Sequence, residues 1–268
     1  MLIDSFGRQI NYLRVSVTDK CNLRCQYCMP AEGIKLKQHA DILRLEEILE
    51  IVKYAADLGI SKVRLTGGEP LVRKNIEFLI ENLAQIPAIK DLAMTTNGVL
   101  LADRAFNLKK LGLQRVNISL DSLDPKKYQQ ITRGGELGSV FAGINAAKEA
   151  GLLPIKLNVV LIPGFNEQEK IDFLKFGTEK KLEVRFIHKM DLRCGQRQAV
   201  EGNTKVGQCD YCNRLRLTCD GFLKPCLFSD FKIDVRQVGI QEAFRLALEY
   251  KPEQGVINTH EEMYQIGG

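Results

Sequence analysis

The amino-acid sequence predicts an α/β fold: an open, partial barrel of six strand and helix units, (β/α)6, followed by a small C-terminal annex. Three observations support this prediction. Short β-branched segments alternate with segments of helical periodicity, which is the order that parallel strands with helical crossovers require. Six such units are fewer than the eight of a closed barrel. The composition changes near residue 190, which divides the chain into a barrel (1–190) and an annex with a tail (191–268).

The strands are predicted from short segments that turn residues close. Helices are predicted from apolar residues at helical spacing, as in Leu45, Ile48, Leu49, Val52 and Ala56, with Gly59 at the expected stop. The predicted strands are 12–17, 62–67, 91–98, 115–122, 155–162 and 182–188, and the predicted helices are 45–59, 76–86, 103–111, 140–150 and 167–181. In such a fold the site lies at the carboxyl ends of the strands.

The annex begins near Asp191 with a polar segment that leads to "CDYCNRLRLTCDGFLKPCLF". Within it, "RLRLTCDGFLKPC" predicts a hairpin with a two-residue Asp-Gly turn, which pairs Cys219 with Phe222 and places Cys226 opposite Leu215. We expect the annex to lie across the open barrel.

Composition narrows the classes of function. The 268 residues are 45% hydrophobic and 26% charged, as in ordinary globular proteins, and the net charge of +5 suits a small anionic substrate but is too weak to indicate nucleic acid. We expect neither a signal peptide nor a membrane span, because no apolar run approaches about 18 residues. We therefore expect a cytoplasmic protein, in which eight cysteines are more often metal ligands than disulfides.

The stretch "CNLRCQYCMP" places Cys21, Cys25 and Cys28 directly after the first strand. A structural zinc ion needs four ligands, and the nearest further candidate is His39. A four-iron cluster on three thiolates keeps one iron open to a ligand. The spacing favours the cluster and leaves zinc as the alternative.

Cys209, Cys212 and Cys226 form a second group, for which spacing alone supports zinc and an iron-sulfur cluster equally. The predicted hairpin places Cys219 roughly 13 Å from Cys226, too far for one small cluster. We therefore expect three ligands, with Cys194 or Cys219 as a fourth only if the register differs.

The stretch "VSVTDKCNLRCQYCMP" followed by "TGGEP" (66–70) resembles the radical S-adenosylmethionine (SAM) superfamily. The resemblance implies a 4Fe-4S cluster on the first cysteine group, SAM on its open iron, and cleavage of SAM by an electron to a 5′-deoxyadenosyl radical. It implies SAM contacts at Tyr27, Gly68, Ser119 and Met190. From the residues alone, core packing is the better explanation of Tyr27 and Met190.

Over nearly its full length the chain resembles the GTP 3′,8-cyclase family, in "VRLTGGEPLVRK", "TTNG", "NISLDS", "CNRLRLT", "PCLF" and the final "IGG". This resemblance implies a second 4Fe-4S cluster on Cys209, Cys212 and Cys226, and a terminal Gly267 and Gly268 that reach the active site. Basic side chains suit a triphosphate of roughly four negative charges. The implied GTP contacts are Arg14, Arg64, Thr95, Lys156, Arg214, Leu215 and Arg216.

The family's reaction opens molybdenum cofactor biosynthesis. The radical takes the ribose 3′ hydrogen of GTP, the carbon radical attacks C8 of guanine, and an electron and a proton complete 3′,8-cyclo-7,8-dihydro-GTP. The implied partners are GTP and an electron donor, without nucleic acid or membrane, and a homodimer is compatible with the sequence. Capping explains Asp121 and Asp124, and His39, His188 and His260 receive no role.

The chain departs from the family pattern between Met190 and Cys209, where it is several tens of residues shorter. This departure keeps two alternatives open. One is a two-cluster radical SAM enzyme that acts on a peptide or on another nucleotide. The other is a non-catalytic iron-sulfur or nucleotide-binding descendant of the enzyme.

Overall fold

The computed structural model describes residues 2–189, 208–256, 258 and 266. Within these residues a sheet of nine strands forms the centre of the molecule, in the order β11-β10-β9-β3-β4-β5-β6-β7-β8. None of the described helices has the length and apolar character needed to span a membrane. Six neighbouring strands are parallel, as predicted. They are β3 (Tyr12–Ser16), β4 (Lys62–Thr66), β5 (Asp91–Thr96), β6 (Arg115–Ser119), β7 (Lys156–Leu161) and β8 (Glu183–His188).

The helices follow these strands in the predicted alternation. The five predicted helices are present as α1 (Leu45–Asp57), α2 (Ile76–Ala84), α3 (Ala105–Lys110), α5 (Leu137–Glu149) and α6 (Lys170–Lys180). Their buried apolar side chains form one core with the strand residues that face them. The partial barrel is therefore confirmed.

Some elements of the barrel region were not predicted. A two-stranded antiparallel ribbon, β1 (Leu2–Ile3) with β2 (Gln9–Ile10), precedes the barrel. A further helix, α4 (Pro125–Thr132), begins after Asp124, whose carboxylate accepts hydrogen bonds from the backbone N–H groups of Lys126 and Lys127. The cap was recognised in the sequence, but the helix behind it is mostly polar and therefore lacks a clear apolar period.

The described part of the annex extends the sheet, and the expectation that the annex lies across the barrel opening stays a prediction. The described part contains β9 (Arg214–Leu217), β10 (Phe222–Lys224), β11 (Ile233–Asp234), α7 (Val235–Val238) and α8 (Ile240–Glu249). Strand β9 pairs in parallel with β3, so the sheet crosses the predicted boundary at residue 190. The division into two domains stays a prediction.

The predicted register of the annex hairpin is wrong by one residue. Leu217 pairs with Leu223, and the backbone N–H of Thr218, not that of Cys219, donates to the Phe222 carbonyl oxygen at 2.9 Å. The turn has three residues because Gly221 alone takes the left-handed conformation (φ 90°), and a two-residue turn of the common type would require Asp220 to adopt it as well.

Alternation along the strands separates two chemistries. On β3, Leu13 and Val15 are buried in the core, while Arg14 and Ser16 point to the opposite, inner face. The same period of two places polar side chains on the inner face of the neighbouring strands. They include Arg64, Thr66, Thr95, Arg115, Asn117, Ser119, Lys156, Asn158, Arg185, Arg214 and Arg216.

Candidate active site

The first cysteine group lies at the carboxyl end of β3. A tight turn follows Cys25, whose carbonyl oxygen accepts hydrogen bonds from the N–H groups of Cys28 (2.9 Å) and Met29 (3.0 Å). Cys21, Cys25 and Cys28 all line one cavity of about 210 Å³. The structure thus brings the three predicted ligands together.

Helix α4 supports this cysteine loop. Its last carbonyl oxygens, of Ile131 and Thr132, accept hydrogen bonds from the N–H groups of Gln26 (2.9 Å) and Arg24 (3.2 Å). The side chain of Arg133, just past the helix, donates to the carbonyl oxygens of Met29 (2.7 Å) and Arg24 (2.9 Å). The loop geometry therefore depends on a helix about a hundred residues away in sequence.

Gly68 is pressed against the cysteine loop. A Cβ atom on Gly68 would fall on the carbonyl group of Lys20, and its N–H donates to the Thr18 carbonyl oxygen at 2.8 Å. Glu69 N–H donates to the Lys20 carbonyl oxygen at 2.8 Å. Glycine is required here by the approach of the chain to itself, and Gly68 also lines the cavity, where its SAM contact is predicted.

Glu69 fastens this loop to the end of β5. Its carboxylate accepts hydrogen bonds from the Thr96 hydroxyl (2.8 Å) and from the backbone N–H groups of Asn97 (2.7 Å) and Leu71 (3.1 Å). Burial raises the pKa of Glu69 to about 6, although these hydrogen bonds oppose the shift. The spacing of the motif gave no indication of this role.

Tyr27 is anchored to β6 and β7 through Asp121. The Tyr27 hydroxyl donates to Asp121 Oδ2 at 2.7 Å, and Oδ1 accepts from the Val160 N–H at 2.7 Å. Burial raises the pKa of Asp121 to about 6. The prediction that Asp121 caps a helix is therefore wrong. Its carboxylate instead orients the side chain of Tyr27, which lies between Cys25 and Cys28 in the sequence.

The surroundings of the first group disfavour the thiolate form when no metal is bound. Burial raises the pKa of Cys28 to about 12, and the negative charges of Cys21 and Asp121 add to the shift. Burial likewise raises the pKa of Cys25 strongly, with Asp121 as the next cause. Metal binding here must therefore displace protons from these thiols.

The other predicted SAM contacts differ in outcome. Ser119 lines the cavity beside Asn158, its register partner on β7, and Asn158 was not predicted. Tyr27 also lines it, whereas Met190 lies outside the described residues. Thr96, Asn97, His188 and Lys189 line the same cavity without having been predicted.

The second cysteine group has its own small cavity of about 50 Å³. Cys209, Cys212 and Cys226 line it together with Arg214 and Arg216. Burial raises the pKa of Cys212, but the charges of Lys251 and Arg214 outweigh it, and the pKa falls to about 7. The structure brings the second set of predicted ligands together next to two predicted GTP contacts.

Cys219, one of the two candidate fourth ligands, does not line this cavity. Cys219 is buried beside Asp19, Lys37 and Asp220, and burial raises its pKa to about 12. Cys194, Gly267 and Gly268 lie outside the described residues, as does His260.

A row of arginines crosses the inner face and reaches both cavities. Arg14 pairs in register with Arg216 on β9 and with Arg64 on β4. Arg14 lines the first cavity and Arg216 the second. Burial lowers the pKa of Arg216 to about 10, and Arg214 is the next cause.

Buried donors on this face lack partners within the described part of the chain. They are Arg64 Nε, Arg216 Nη1, Thr95 Oγ1 and Asn117 Nδ2. Thr95 pairs in register with Asn117, and Asn117 with Lys156, whose ammonium forms a 2.9 Å ion pair with Glu183. Unsatisfied buried donors in a folded protein need an explanation, and an anionic ligand on this face would supply acceptors for them.

Leu215 differs from its two neighbours. Its side chain is fully buried in the core, opposite the inner face. Any contact between Leu215 and GTP would therefore involve its main chain alone, so the prediction of Leu215 as a GTP contact receives no support from its side chain.

Both cysteine groups fit iron-sulfur clusters by their donor chemistry. All seven described cysteines are free thiols. Among the described residues, no three His, Cys, Asp or Glu side chains converge as they would around a single metal ion. A cubane is larger than a single ion and holds its thiolates further apart, so three free thiols around each cavity are compatible with such a cluster.

Comparisons with known proteins agree with this geometry. Residues 15–177 match the family model of the radical SAM superfamily. Proteins named GTP 3′,8-cyclase from Alkaliphilus oremlandii and Petrotoga mobilis are 45% and 44% identical to the chain, and these matches cover 99% and 94% of both proteins. The relative from Clostridium botulinum is 40% identical over 319 aligned positions, more than the 268 residues of the chain, so it has residues that this chain lacks.

Solved structures share the fold at low sequence identity. SuiB from Streptococcus suis, bound to the precursor peptide SuiA, gives a TM-score of 0.67 at 15% identity and covers 91% of this chain and 66% of its own. The protein anSMEcpe with bound AdoMet gives 0.60 at 16% identity, covering 89% and 80%.

Proposed function

Because the chain belongs to the radical SAM superfamily and, within it, to the GTP 3′,8-cyclase family, we propose that it converts GTP to 3′,8-cyclo-7,8-dihydro-GTP. This lyase reaction is the first step of molybdenum cofactor biosynthesis. The similarity extends over nearly the whole chain and over nearly the whole of the relatives.

One observation carries the proposal of GTP as the substrate. Arg216, Arg14 and Arg64 form one row across three neighbouring strands, in which Arg216 lines the cavity of the second cysteine group and Arg14 that of the first. Arg14 and Arg216 are buried and Arg64 is half-buried, and placing arginines side by side in this way is costly unless an anion neutralises them. A triphosphate supplies that charge and accepts bidentate hydrogen bonds from guanidinium groups.

The residues of the first cavity have distinct roles in this proposal. Cys21, Cys25 and Cys28 would hold the 4Fe-4S cluster that the superfamily carries, and that cluster with SAM supplies the radical that abstracts hydrogen. Tyr27, Gly68 and Ser119 line this cavity and would contact SAM there. Met190 is proposed as a further contact on the resemblance alone.

The second cysteine group is proposed to hold a second 4Fe-4S cluster. Three thiols around one small cavity support this assignment, and Arg214 and Arg216 beside them support a substrate between the clusters. Arg14, Arg64, Thr95 and Lys156 would orient the nucleotide along the inner face. Leu215 stays in the proposed set only through its main chain.

The remaining partners are proposals without a structural counterpart. We propose an electron donor that reduces the first cluster, a cytoplasmic location, a homodimer as an allowed state, and no nucleic-acid or membrane partner. The net charge of +5 is too weak to indicate a nucleic-acid partner by itself.

The test is an anaerobic incubation of the reconstituted protein with SAM, a strong reductant and GTP. Mass spectrometry follows 5′-deoxyadenosine and the cyclised nucleotide together, and both are expected. Deoxyadenosine without cyclised GTP would point to another substrate, such as a peptide or a different nucleotide. Neither product, with both clusters assembled, would support the non-catalytic descendant.

A further inference from the structure

A buried lysine lies beside the second cysteine group. Lys251 follows α8 and is only 2% exposed. Its ammonium donates to the carbonyl oxygens of Pro225 (2.6 Å) and Arg214 (2.9 Å) and lies 3.5 Å from the Cys212 sulfur. An ammonium has three N–H donors, so this set of acceptors uses all of them.

These acceptors come from both sides of the cysteine cavity. Cys212 and Arg214 belong to the segment that enters β9, and Pro225 directly precedes Cys226. One side chain therefore links the two chain segments that carry these cysteines.

Arg8 connects the third cysteine to the same segment. Its guanidinium donates to the carbonyl oxygens of Cys209 (2.9 Å), Glu253 (2.8 Å) and Pro252 (2.7 Å), and Asp4 balances its charge at 2.6 Å. Arg8 therefore links the segment after α8, which contains Lys251, to the main chain of Cys209.

We propose that Lys251 is a positioning residue of the second cysteine group: its buried ammonium holds the Cys212 thiolate by an N–H···S hydrogen bond and raises the reduction potential of the bound cluster. This inference rests on the proposed cluster at Cys209, Cys212 and Cys226. Hydrogen bonds to cluster sulfurs and nearby charge are two of the factors that set such potentials, and a cation stabilises the more negative, reduced form.

The test uses the full chain with Cys21, Cys25 and Cys28 replaced by alanine, so that only the second group binds iron. Lys251→Met removes the charge and all three donors at similar length. Lys251→Arg keeps the charge. The matched control is Lys224→Met, because Lys224 on β10 is also fully buried but its ammonium donates to the Ser229 carbonyl oxygen at 2.8 Å. Redox titration followed by electron paramagnetic resonance and iron loss to a chelator are measured.

We expect Lys251→Met to lower the ratio of reduced to oxidised cluster about tenfold at a fixed potential, which is about 59 mV for one electron. Its iron affinity should fall about tenfold or more, as for other outer ligand partners. Lys251→Arg should recover most of the potential, and Lys224→Met should retain the parent values.

Unchanged potential and unchanged iron retention in Lys251→Met overturn the inference, and so does an equal change in Lys224→Met. If Lys251→Met does not fold, Lys251→Gln is titrated in its place, and an unchanged potential there overturns the inference as well. Zinc in place of iron in the parent protein is a different failure, because it overturns the proposed cluster before any substitution at Lys251.

Discussion

The two cysteine groups contain three described thiols each but have opposite electrostatic surroundings. The first group is near two buried carboxylates, Asp121 and Glu69, which act on its thiols as negative charges. The second is beside Lys251 and Arg214, which lower the pKa of Cys212 to about 7 against the effect of burial. Two sets of cysteine thiols therefore have opposite surroundings: those of the first group are anionic, and those of the second are cationic.

The difference fits the two tasks proposed for these groups. A cluster that must pass an electron to SAM benefits from negative neighbours, which disfavour its reduced form and lower its potential. A cluster beside a nucleotide triphosphate benefits from cations that serve the ligand and the cluster together. Substitutions in the first and in the second cysteine group should therefore have separable effects on activity, iron content and reduction potential.

The largest effect is expected from removing a ligand. Cys25→Ala should abolish 5′-deoxyadenosine formation, and iron should fall from about eight to about four atoms per chain, since one cubane is lost. Cys212→Ala should lose the same amount of iron and still form deoxyadenosine without cyclised GTP.

Cys219→Ala is the matched control, because Cys219 lies apart from both groups. It should keep all of the iron, and loss of about four irons in this variant would make Cys219 a ligand. Iron and sulfide analysis with product detection by mass spectrometry distinguishes the three variants.

Charge reversal in the arginine row should come next. Arg216→Glu should weaken GTP binding about 100-fold, the loss expected for one or two charged hydrogen bonds, while SAM cleavage persists. Calorimetric titration with GTP measures the change. Arg245→Glu, on the exposed side of α8, should bind GTP normally, and equal losses in both variants would remove Arg216 from the site.

Glu69 should make the apoprotein less stable as the pH rises. Burial raises its pKa to about 6 from 4.5, so the folded state retains a proton that the unfolded chain has already lost. The contribution of Glu69 to the free energy of unfolding is therefore highest below pH 4.5. It falls by about 2 kcal/mol as the pH rises through 6. Denaturant unfolding at pH 4.5 and 7 measures this change. The free energy of unfolding should fall less between these pH values in Glu69→Gln than in the parent protein, and an equal fall in both would contradict this account.

The smallest effect is expected at Asp121. Asp121→Asn removes a negative charge near the first cluster and should raise its midpoint potential by less than about 59 mV, opposite in sign to the change expected for Lys251→Met. Redox titration at pH 8 measures it, where the Asp121 carboxyl, with its pKa raised to about 6 by burial, is ionised. A shift of the same sign in both variants would contradict the electrostatic comparison.

Much of the barrel could be predicted because its signals are local. The strands from Tyr12 to His188 show β-branched residues and turn residues within a few positions, and the cysteine spacing identifies the first group by itself. Arg14, Arg64 and Arg216 were identified by resemblance, while their alignment in one row follows from strand pairing that no single segment encodes.

The missed features depend on contacts between distant segments. Asp121 meets Tyr27 across 94 positions, and Lys251 meets Cys212 across 39. The hairpin register changed by one residue because the Thr218 side chain and Gly221 together select a longer turn. Such choices depend on packing and hydrogen bonding, which composition and periodicity do not report.

The close contact of Gly68 with Lys20 has a consequence for protein engineering. The cysteine loop and the segment from Gly67 to Glu69 share backbone hydrogen bonds and leave no room for a side chain between them. They form one interlocking part, so a cysteine loop grafted alone onto another barrel would lack the surface that shapes it. A transplant that assembles its cluster must carry both segments, together with the end of α4 that supports them.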